Sequence, residues 1–209
     1  MTTNREGVMH RMILFAVLTS IPALRLNAQW HVALTGGRAG TAGHARSIED
    51  VPDGRAELRP WRPETIALRV GRDLGNWRVN AEVRRTTADL AISGEATVLI
   101  TTGAIDAWGS GIEVTRGVAG GPGKPALRAG VGAIAERWSF DLAGGDARWR
   151  LAAQGVLDAS VPLWRQWSGI VRAEAAFGRS LFDEDELPAG YELRSAVRHG
   201  MAIGVARTL

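Results

Sequence analysis

Charged side chains recur at every second position along several apolar stretches of the sequence. This spacing places them on one face of a β-strand, because successive side chains of a strand point to opposite faces. Facing one another in an enclosed space, such groups form ion pairs, an ion path or a proton relay, and each carboxylate requires a guanidinium neighbour. The set comprises seven arginines and five carboxylates: Arg69, Arg78, Glu82, Arg84, Glu113, Arg128, Glu136, Arg150, Asp158, Arg172, Glu174 and Arg198.

A second group has the residue types of a catalytic triad. His44, Ser47 and Asp50 follow one another closely in a polar stretch. A triad is recognised by its geometry, and closeness in sequence does not supply that geometry. The same three residue types are common in polar loops. We therefore interpret them as loop residues and retain acyl chemistry as an alternative.

Cofactor chemistry finds little support in the sequence. There is no cysteine, so thiolate metal sites are not available. The glycines of residues 117–125 lack the strand–loop–helix context of a phosphate-binding loop. We predict no metal and no cofactor.

Residues 149–177 show most clearly the β-strands that position these charges. Trp149, Leu151 and Leu157 share one face of a strand, and Arg150 and Asp158 share the other. After a turn at residues 162–166, the next strand repeats this alternation with an apolar face and a charged face. An apolar outside and a polar inside are typical of a membrane β-barrel. No later stretch has the 18 or more consecutive apolar residues of a membrane helix, so a membrane protein of this sequence has to be a closed barrel.

The same alternation predicts an all-β, eight-stranded antiparallel up-and-down barrel. Its strands are residues 30–38, 65–71, 77–84, a strand ending near Arg116, 127–136, the two strands of 149–177, and 195–209. Residues 86–105 are interpreted as a long hairpin that projects past the membrane, with a ten-stranded barrel as the alternative. Short turns at 73–76, 117–125 and 162–166 alternate with longer connections at 39–62, 86–104, 139–147 and 182–194. Outer-membrane barrels have short periplasmic turns and long extracellular loops.

Tryptophan positions predict two aromatic belts, because amphipathic rings favour the membrane interface. The belt at the short turns holds Trp30, Trp77, Trp164 and Trp167, and the belt at the long connections holds Trp61, Trp108, Trp138 and Trp149.

Residues 1–28 are predicted to be a cleaved signal peptide, which leaves 29–209 as the barrel. Arg5 and Arg11 precede an apolar run, and Leu26-Asn27-Ala28 is a small-residue cleavage site. Removal of this segment lowers the formal net charge from +3 to +1, because it takes away three arginines and Glu6. No basic patch remains to bind nucleic acid.

The mature region resembles the small eight-stranded outer-membrane barrels of the OmpA and OmpX type. The resemblance rests on LGNWRV at 74–79, PLWRQW at 162–167 and the closing segment GMAIGVARTL. It implies a monomer in the outer membrane of a diderm bacterium, in contact with lipid and lipopolysaccharide. It also implies recognition of the closing strand by the outer-membrane assembly machinery, although Leu209 stands where the family usually has an aromatic residue.

Three functions fit these observations. The first is a non-enzymatic barrel with a lumen plugged by its charges, serving envelope integrity or surface contact, since eight strands leave an interior that side chains fill. The second is an outer-membrane lipid A acyltransferase or deacylase with its site at the outer rim, near His44. The third is a secreted soluble ligand-binding barrel, which requires the opposite alternation. The acidic run 183–186 either binds a divalent cation that bridges lipopolysaccharide or is a solvated loop tip.

Overall fold

Nearly all of the chain that the structure describes is β-strand. The computed structural model describes residues 29–48, 56–93, 98–121, 123–140, 147–184, 187 and 189–209, so the predicted signal peptide and Asp50 lie outside it. The strands are β1 (Trp30–Ala42), β2 (Ala45–Ser47), β3 (Glu57–Leu74), β4 (Trp77–Ser93), β5 (Val98–Ala119), β6 (Ala126–Phe140), β7 (Arg148–Trp164), β8 (Trp167–Gly178), β9 (Tyr191–Leu193) and β10 (Ala196–Thr208). No helix among these residues is long and apolar enough to cross a membrane.

Eight of these strands form a closed antiparallel ring. The ring runs β1-β10-β8-β7-β6-β5-β4-β3, and β1 closes it by pairing with β3. The eight-stranded prediction is therefore confirmed, and the ten-stranded alternative is wrong because β4 and β5 pair with each other past residue 90 as one long hairpin, with one irregularity between Ala88 and Leu90. Closure leaves the ring without an open sheet edge, which lipid does not tolerate.

The connection predicted as a loop at residues 39–62 is mostly strand in its described part, which corrects the sequence interpretation. Residues 39–42 continue β1, residues 57–62 begin β3, and β2 and β9 form a short ribbon attached to β3. A bulge between Trp61 and Glu64 lets β3 continue through its prolines. The connections at 139–147 and 182–194 are likewise shortened, by the end of β6 at Phe140 and by β9.

Connections at the opposite end are short, as predicted. β3 and β4 are joined by Gly75-Asn76, where Gly75 has a φ of 68° that favours glycine. A connection of two residues, Arg165-Gln166, likewise joins β7 to β8. We call this end of the barrel the short-turn end and the opposite one the outer end.

The two faces of each strand differ as the alternation predicts. Aliphatic side chains such as Ile66, Leu151 and Ile203 lie outside and are about two-thirds exposed. The polar parity points into the ring, where Arg84 and Arg172 are almost fully buried. The outside is thus an apolar surface, and the charges lie inside.

Small inward residues provide the space for these long side chains. Along β10, the positions that follow Arg198 inward are Gly200, Ala202, Gly204 and Ala206. A Cβ atom at Gly204 would lie 1.9 Å from the carbonyl oxygen of Leu34 in the neighbouring strand. The backbones of β1 and β10 therefore approach each other where a side chain is absent.

We expect Gly204→Ala to lower the free energy of unfolding by about 1–3 kcal/mol, the usual cost of forcing atoms into a packed site. The matched control is Gly155→Ala, because a Cβ at that outward position meets nothing within 4 Å. Urea unfolding in lipid vesicles measures both variants. Equal stability of the two would contradict the close approach of β1 and β10.

Candidate functional site

Arg172 lies at the centre of an ion-pair network that crosses the barrel. Its two terminal nitrogens bond both carboxylate oxygens of Glu113, with Nη1 3.2 Å from Oε1. Nη1 also lies 3.2 Å from Asp158 Oδ1, directly across the β7–β8 pair as the sequence predicts. Nη2 is 3.7 Å from Glu82, and Nε is 3.5 Å from Glu174. One guanidinium thus contacts four carboxylates that come from three other strands and its own.

Arg84 makes a second centre next to the first. Its Nη1 donates to Glu174 at 2.9 Å and its Nη2 to Gln154 at 2.9 Å. Its Nε lies 3.3 Å from both Glu82 and Glu136. Glu174 therefore lies between Arg84 and Arg172 and links the two centres.

Two further arginines extend the network toward the ends of the barrel. Arg198 donates to Glu136 at 2.9 Å on the outer side. Arg69 lies 3.4 Å from Asp158 and 4.0 Å from Glu113 on the short-turn side. Each of the five inward carboxylates consequently has at least one guanidinium within 4.0 Å. We call these nine side chains the central network: Arg69, Glu82, Arg84, Glu113, Glu136, Asp158, Arg172, Glu174 and Arg198.

Little free space remains beside the central network. A cavity lined by Thr35, Glu82, Arg84, Arg172 and Glu174 has a volume of about 20 Å³. That is room for roughly one water molecule. The network therefore obstructs the lumen at this level.

Three arginines predicted for the network lie outside it. Arg150 lies directly opposite Glu136 on the neighbouring strand, but its side chain turns toward the outer end, where it bonds the carbonyl of Ser180 at 2.7 Å and Asp183 at 2.8 Å. Arg78 pairs with Asp73 at 2.7 Å, and Arg128 bonds Thr115 and the carbonyl of Asn76 at the short-turn end. Parity places these side chains inside the barrel, as predicted, but does not give the direction in which each long side chain turns, so the expectation that all three join one network is corrected.

Sequence reasoning missed neutral and acidic partners of the same charges. Asn80 donates to Glu113 at 2.9 Å, and Gln154 accepts from Arg84. Asp73 holds Arg78 through two bonds. All three share the inward parity, so strand alternation is the signal that identifies them as lumen residues.

Six tryptophans lie on the outside of the barrel near its two ends. Trp30, Trp77 and Trp167 begin β1, β4 and β8, and Trp164 ends β7. Trp108 and Trp149 lie outward toward the outer end, and each is more than half exposed. Trp61 is half-buried between the guanidinium groups of Arg59 and Arg62.

The assignment of Trp138 to a belt is wrong. Its side chain is 3% exposed and packs with Ile105, Ala107 and Leu181 inside the outer end. Trp138 shares the inward parity of Ile134 and Glu136 on β6. Its place near a strand end suggested an interfacial ring, but its parity determines that it points inward.

An arginine lies over most of the outward tryptophans, a feature that the sequence alone did not suggest. The guanidinium carbon of Arg165 lies 4.7 Å from the ring centroid of Trp164. Similar stacks, at 5.4 to 5.7 Å, join Arg72 to Trp30, Arg85 to Trp108, Arg116 to Trp77 and Arg207 to Trp167. Each stack gives the membrane interface a cation next to an amphipathic ring.

His44 and Ser47 do not form a catalytic pair. His44 Nδ1 accepts a hydrogen bond from the backbone N–H of Leu181 at 3.3 Å, and Ser47 Oγ accepts one from Ala56 at 2.9 Å. Both side chains are buried. Burial, followed by the charges of Arg198 and Arg59, lowers the pKa of His44 to about 3, so it is neutral at pH 7. Here His44 fixes the backbone of a connecting segment.

An apolar cap closes the outer end above the network. Ala45, Leu58 and Phe182 are buried together, with Phe140 and Tyr191 packed against them. Arg148 and Arg150 hold Asp183 of the same segment. Asp185 and Glu186 of the acidic run lie outside the described residues, and those that are described include no group of three or more potential metal ligands.

The geometry of this barrel is shared with solved structures. The crystal structure of Neisserial surface protein A (NspA) has 10% sequence identity to this chain. The match covers 87% of this chain and 99% of NspA, with a TM-score of 0.58. The crystal structure of the outer membrane protein OprG from Pseudomonas aeruginosa also has 10% sequence identity to this chain. The match covers 87% of this chain and 95% of OprG, with a TM-score of 0.53. The chain has the fold of a small outer-membrane β-barrel. No family model and no curated protein matches its sequence.

The surfaces of this barrel agree with that fold. Its apolar outside, flanked at both ends by tryptophans, is a surface for lipid, and barrels of this kind span the outer membrane. The secreted soluble alternative is wrong, because it requires apolar side chains inside and polar ones outside. By the loop rule for such barrels, we expect the short-turn end to face the periplasm.

Proposed function

We propose that the protein is a non-enzymatic, non-conducting outer-membrane barrel that contributes to the integrity of the cell envelope. The observation that carries this proposal is the central network, in which Arg84 and Arg172 cross the lumen and leave about 20 Å³ of free space beside them. A hydrated ion requires a wider path than a single water site. A closed barrel with an apolar belt adds a rigid, impermeable element to the membrane.

Planar-bilayer recording tests the closed lumen. We expect the wild-type protein to give no steady conductance of porin size. The double variant Arg84→Ala/Glu174→Ala removes two side chains that meet at 2.9 Å across the lumen, and it should produce small, discrete current steps. The control Arg38→Ala/Glu64→Ala breaks an ion pair on the outside of the barrel and should remain silent. A large, steady wild-type conductance would refute the proposal.

The role in the envelope is tested in the bacterium that encodes the protein. Deletion should increase uptake of a hydrophobic fluorescent dye and sensitivity to detergent. The wild-type gene and the Arg38→Ala/Glu64→Ala variant should both restore the barrier. Unchanged uptake after deletion would count against a structural role.

Surface contact is a second function that one observation favours. Pairing of β4 with β5 continues past Trp108 for about ten more residues, or about 30 Å along the strand. Ile92, Val98, Leu99 and Ile100, near the far end of this hairpin, are exposed although they lie beyond the tryptophan level. Apolar side chains exposed to water commonly mark a contact site.

Cell adhesion to a hydrocarbon layer tests this second function. Ile92→Ser/Leu99→Ser changes two apolar residues that face each other across the hairpin and should reduce adhesion of expressing cells. Glu57→Gln, at the same end of the neighbouring strand, should leave adhesion unchanged. Equal adhesion of all three strains would argue against a contact role for the hairpin.

A further inference from the structure

The short-turn end of the barrel contains a large polar cavity below the central network. Its volume is about 640 Å³, within the range of small-molecule sites. Residues 75–76, 117, 119–121 and 124 surround it, together with inward residues of β3, β4, β6 and β7. We call it the vestibule. In volume it contrasts with the cavity of about 20 Å³ beside Arg84 and Arg172.

Cations outnumber carboxylates in the lining of the vestibule. Arg69, Arg78, Arg128 and Lys124 line it, against Asp73 and Asp158. Asp73 is bound by Arg78 through two hydrogen bonds, and Asp158 is shared between Arg172 and Arg69.

Among the described residues, two of the cations have no carboxylate partner. Arg128 donates to neutral oxygens, those of the Thr115 side chain and backbone and the carbonyl of Asn76. Lys124, on the exposed turn, forms no ion pair with any carboxylate that the structure describes. The vestibule therefore has positive charge available for a ligand.

Arg69 adds a further positive charge at the inner limit of this space. It belongs to the central network and also lines the vestibule. Its side chain is 3% exposed, so it acts on a ligand through its charge rather than through direct hydrogen bonds. A charge that is shielded from water is screened less than one at the surface.

We propose that the vestibule is a binding site for a small oxyanion, a molecule carrying phosphate or carboxylate groups that enters from the periplasmic side. Arg128 and Lys124 attract the anion and contact it near the opening, and the charge of Arg69 attracts it from the inner limit of the cavity. Guanidinium forks match the paired oxygens of phosphate and carboxylate, so either group suits the site. The ligand occupies the cavity without crossing the central network.

Calorimetric titration of the full chain, refolded in a non-ionic detergent, tests this site with pyrophosphate as the probe. We expect saturable binding at one site that weakens as salt is raised. Arg128→Gln should weaken binding at least about tenfold, the effect of losing one charge-assisted contact. Lys124→Gln, on an exposed turn that does not support the barrel, should weaken binding by a smaller factor.

The matched control is Arg116→Gln, because Arg116 lies at the same end of the barrel but stacks on Trp77 outside it. This variant should bind pyrophosphate like the wild type. Heat-modifiable gel mobility verifies that each variant is folded. Absence of saturable binding, or an equal loss in Arg116→Gln, would overturn the proposal.

A second experiment, in lipid nanodiscs, distinguishes a soluble oxyanion from an anionic lipid headgroup. Phosphatidylglycerol should not compete with pyrophosphate if the ligand is a soluble molecule, because the vestibule lies inside the strand ring. Competition by phosphatidylglycerol, with none by phosphatidylcholine, identifies the ligand as an anionic lipid headgroup that reaches the same cations.

Discussion

Replacing Arg172 with alanine should lower the free energy of unfolding by about 3–5 kcal/mol, because removing one partner leaves the others as uncompensated buried charges. Glu113 would lose the most. Its side chain has no exposed surface, and both of its carboxylate oxygens bond to Arg172. Urea titration of the protein in lipid vesicles, followed by tryptophan fluorescence and gel mobility, measures the change.

A double-mutant cycle shows whether the loss belongs to the pair. Arg172→Gln with Glu113→Gln should cost much less than the sum of the two single changes. Coupling to Asp158 should be weaker, because that carboxylate is 16% exposed and shares a second arginine, Arg69. Strict additivity in both cycles would show that the central network does not exist in this form. Arg38→Ala, in an exposed pair with Glu64, should change stability by less than about 1 kcal/mol.

Arginine at position 173 should destabilise the barrel by about 2–4 kcal/mol, the cost of this side chain at the bilayer midplane. Ala173 lies on the outward face of β8 between Leu157 and Met201 of the neighbouring strands, both of which face lipid. The guanidinium would therefore enter the hydrocarbon region. Equilibrium unfolding in vesicles is the measurement.

Two control variants distinguish the cost of placing a charge deep in lipid from the cost of overpacking the lumen. Val161→Arg is also outward but lies close to Trp164 and Trp167, so its cost should fall to about 0–1 kcal/mol. Ala176→Arg points inward at a site that is 6% exposed and should be disruptive through overpacking, whatever the lipid. If Ala173→Arg were as stable as Val161→Arg, the outward assignment of β8 would be wrong.

Strand alternation predicted the ring and the faces because it is a local property of the backbone. The turn at residues 165–166, together with the register shift between Pro162 and Trp164, sets the pairing of β7 and β8 and brings Asp158 opposite Arg172. Contacts across the lumen are different. Arg69 on β3 meets Asp158 on β7, and no spacing along the chain encodes which side chains meet between strands that are not neighbours.

The outer end was less predictable for related reasons. β2 and β9 have three residues each, too few for alternation to appear, and they are held by pairing with β3 and with each other. Residues 57–62 suggested a loop because of their proline and charge, yet a bulge accommodates them in β3. Arg150 differs in a further way: it faces inward opposite Glu136 as its parity predicts, but its long side chain turns toward Ser180 and Asp183 at the outer end. Local patterns thus define the transmembrane part and lose accuracy where the chain leaves the membrane.

Closure of the ring by β1 and β10 has a consequence for how the protein folds. His31 pairs with Thr208 and Ala42 with Val197, so the closing contacts join residues separated by most of the barrel sequence. Loop closure over such distances is slow, and topologies dominated by distant contacts fold slowly. Before β10 is available, β1 and β8 both present open edges whose apolar sides attract other chains. The chain therefore remains vulnerable to aggregation until its last strand arrives, and we expect it to depend on a holding chaperone during its passage to the membrane.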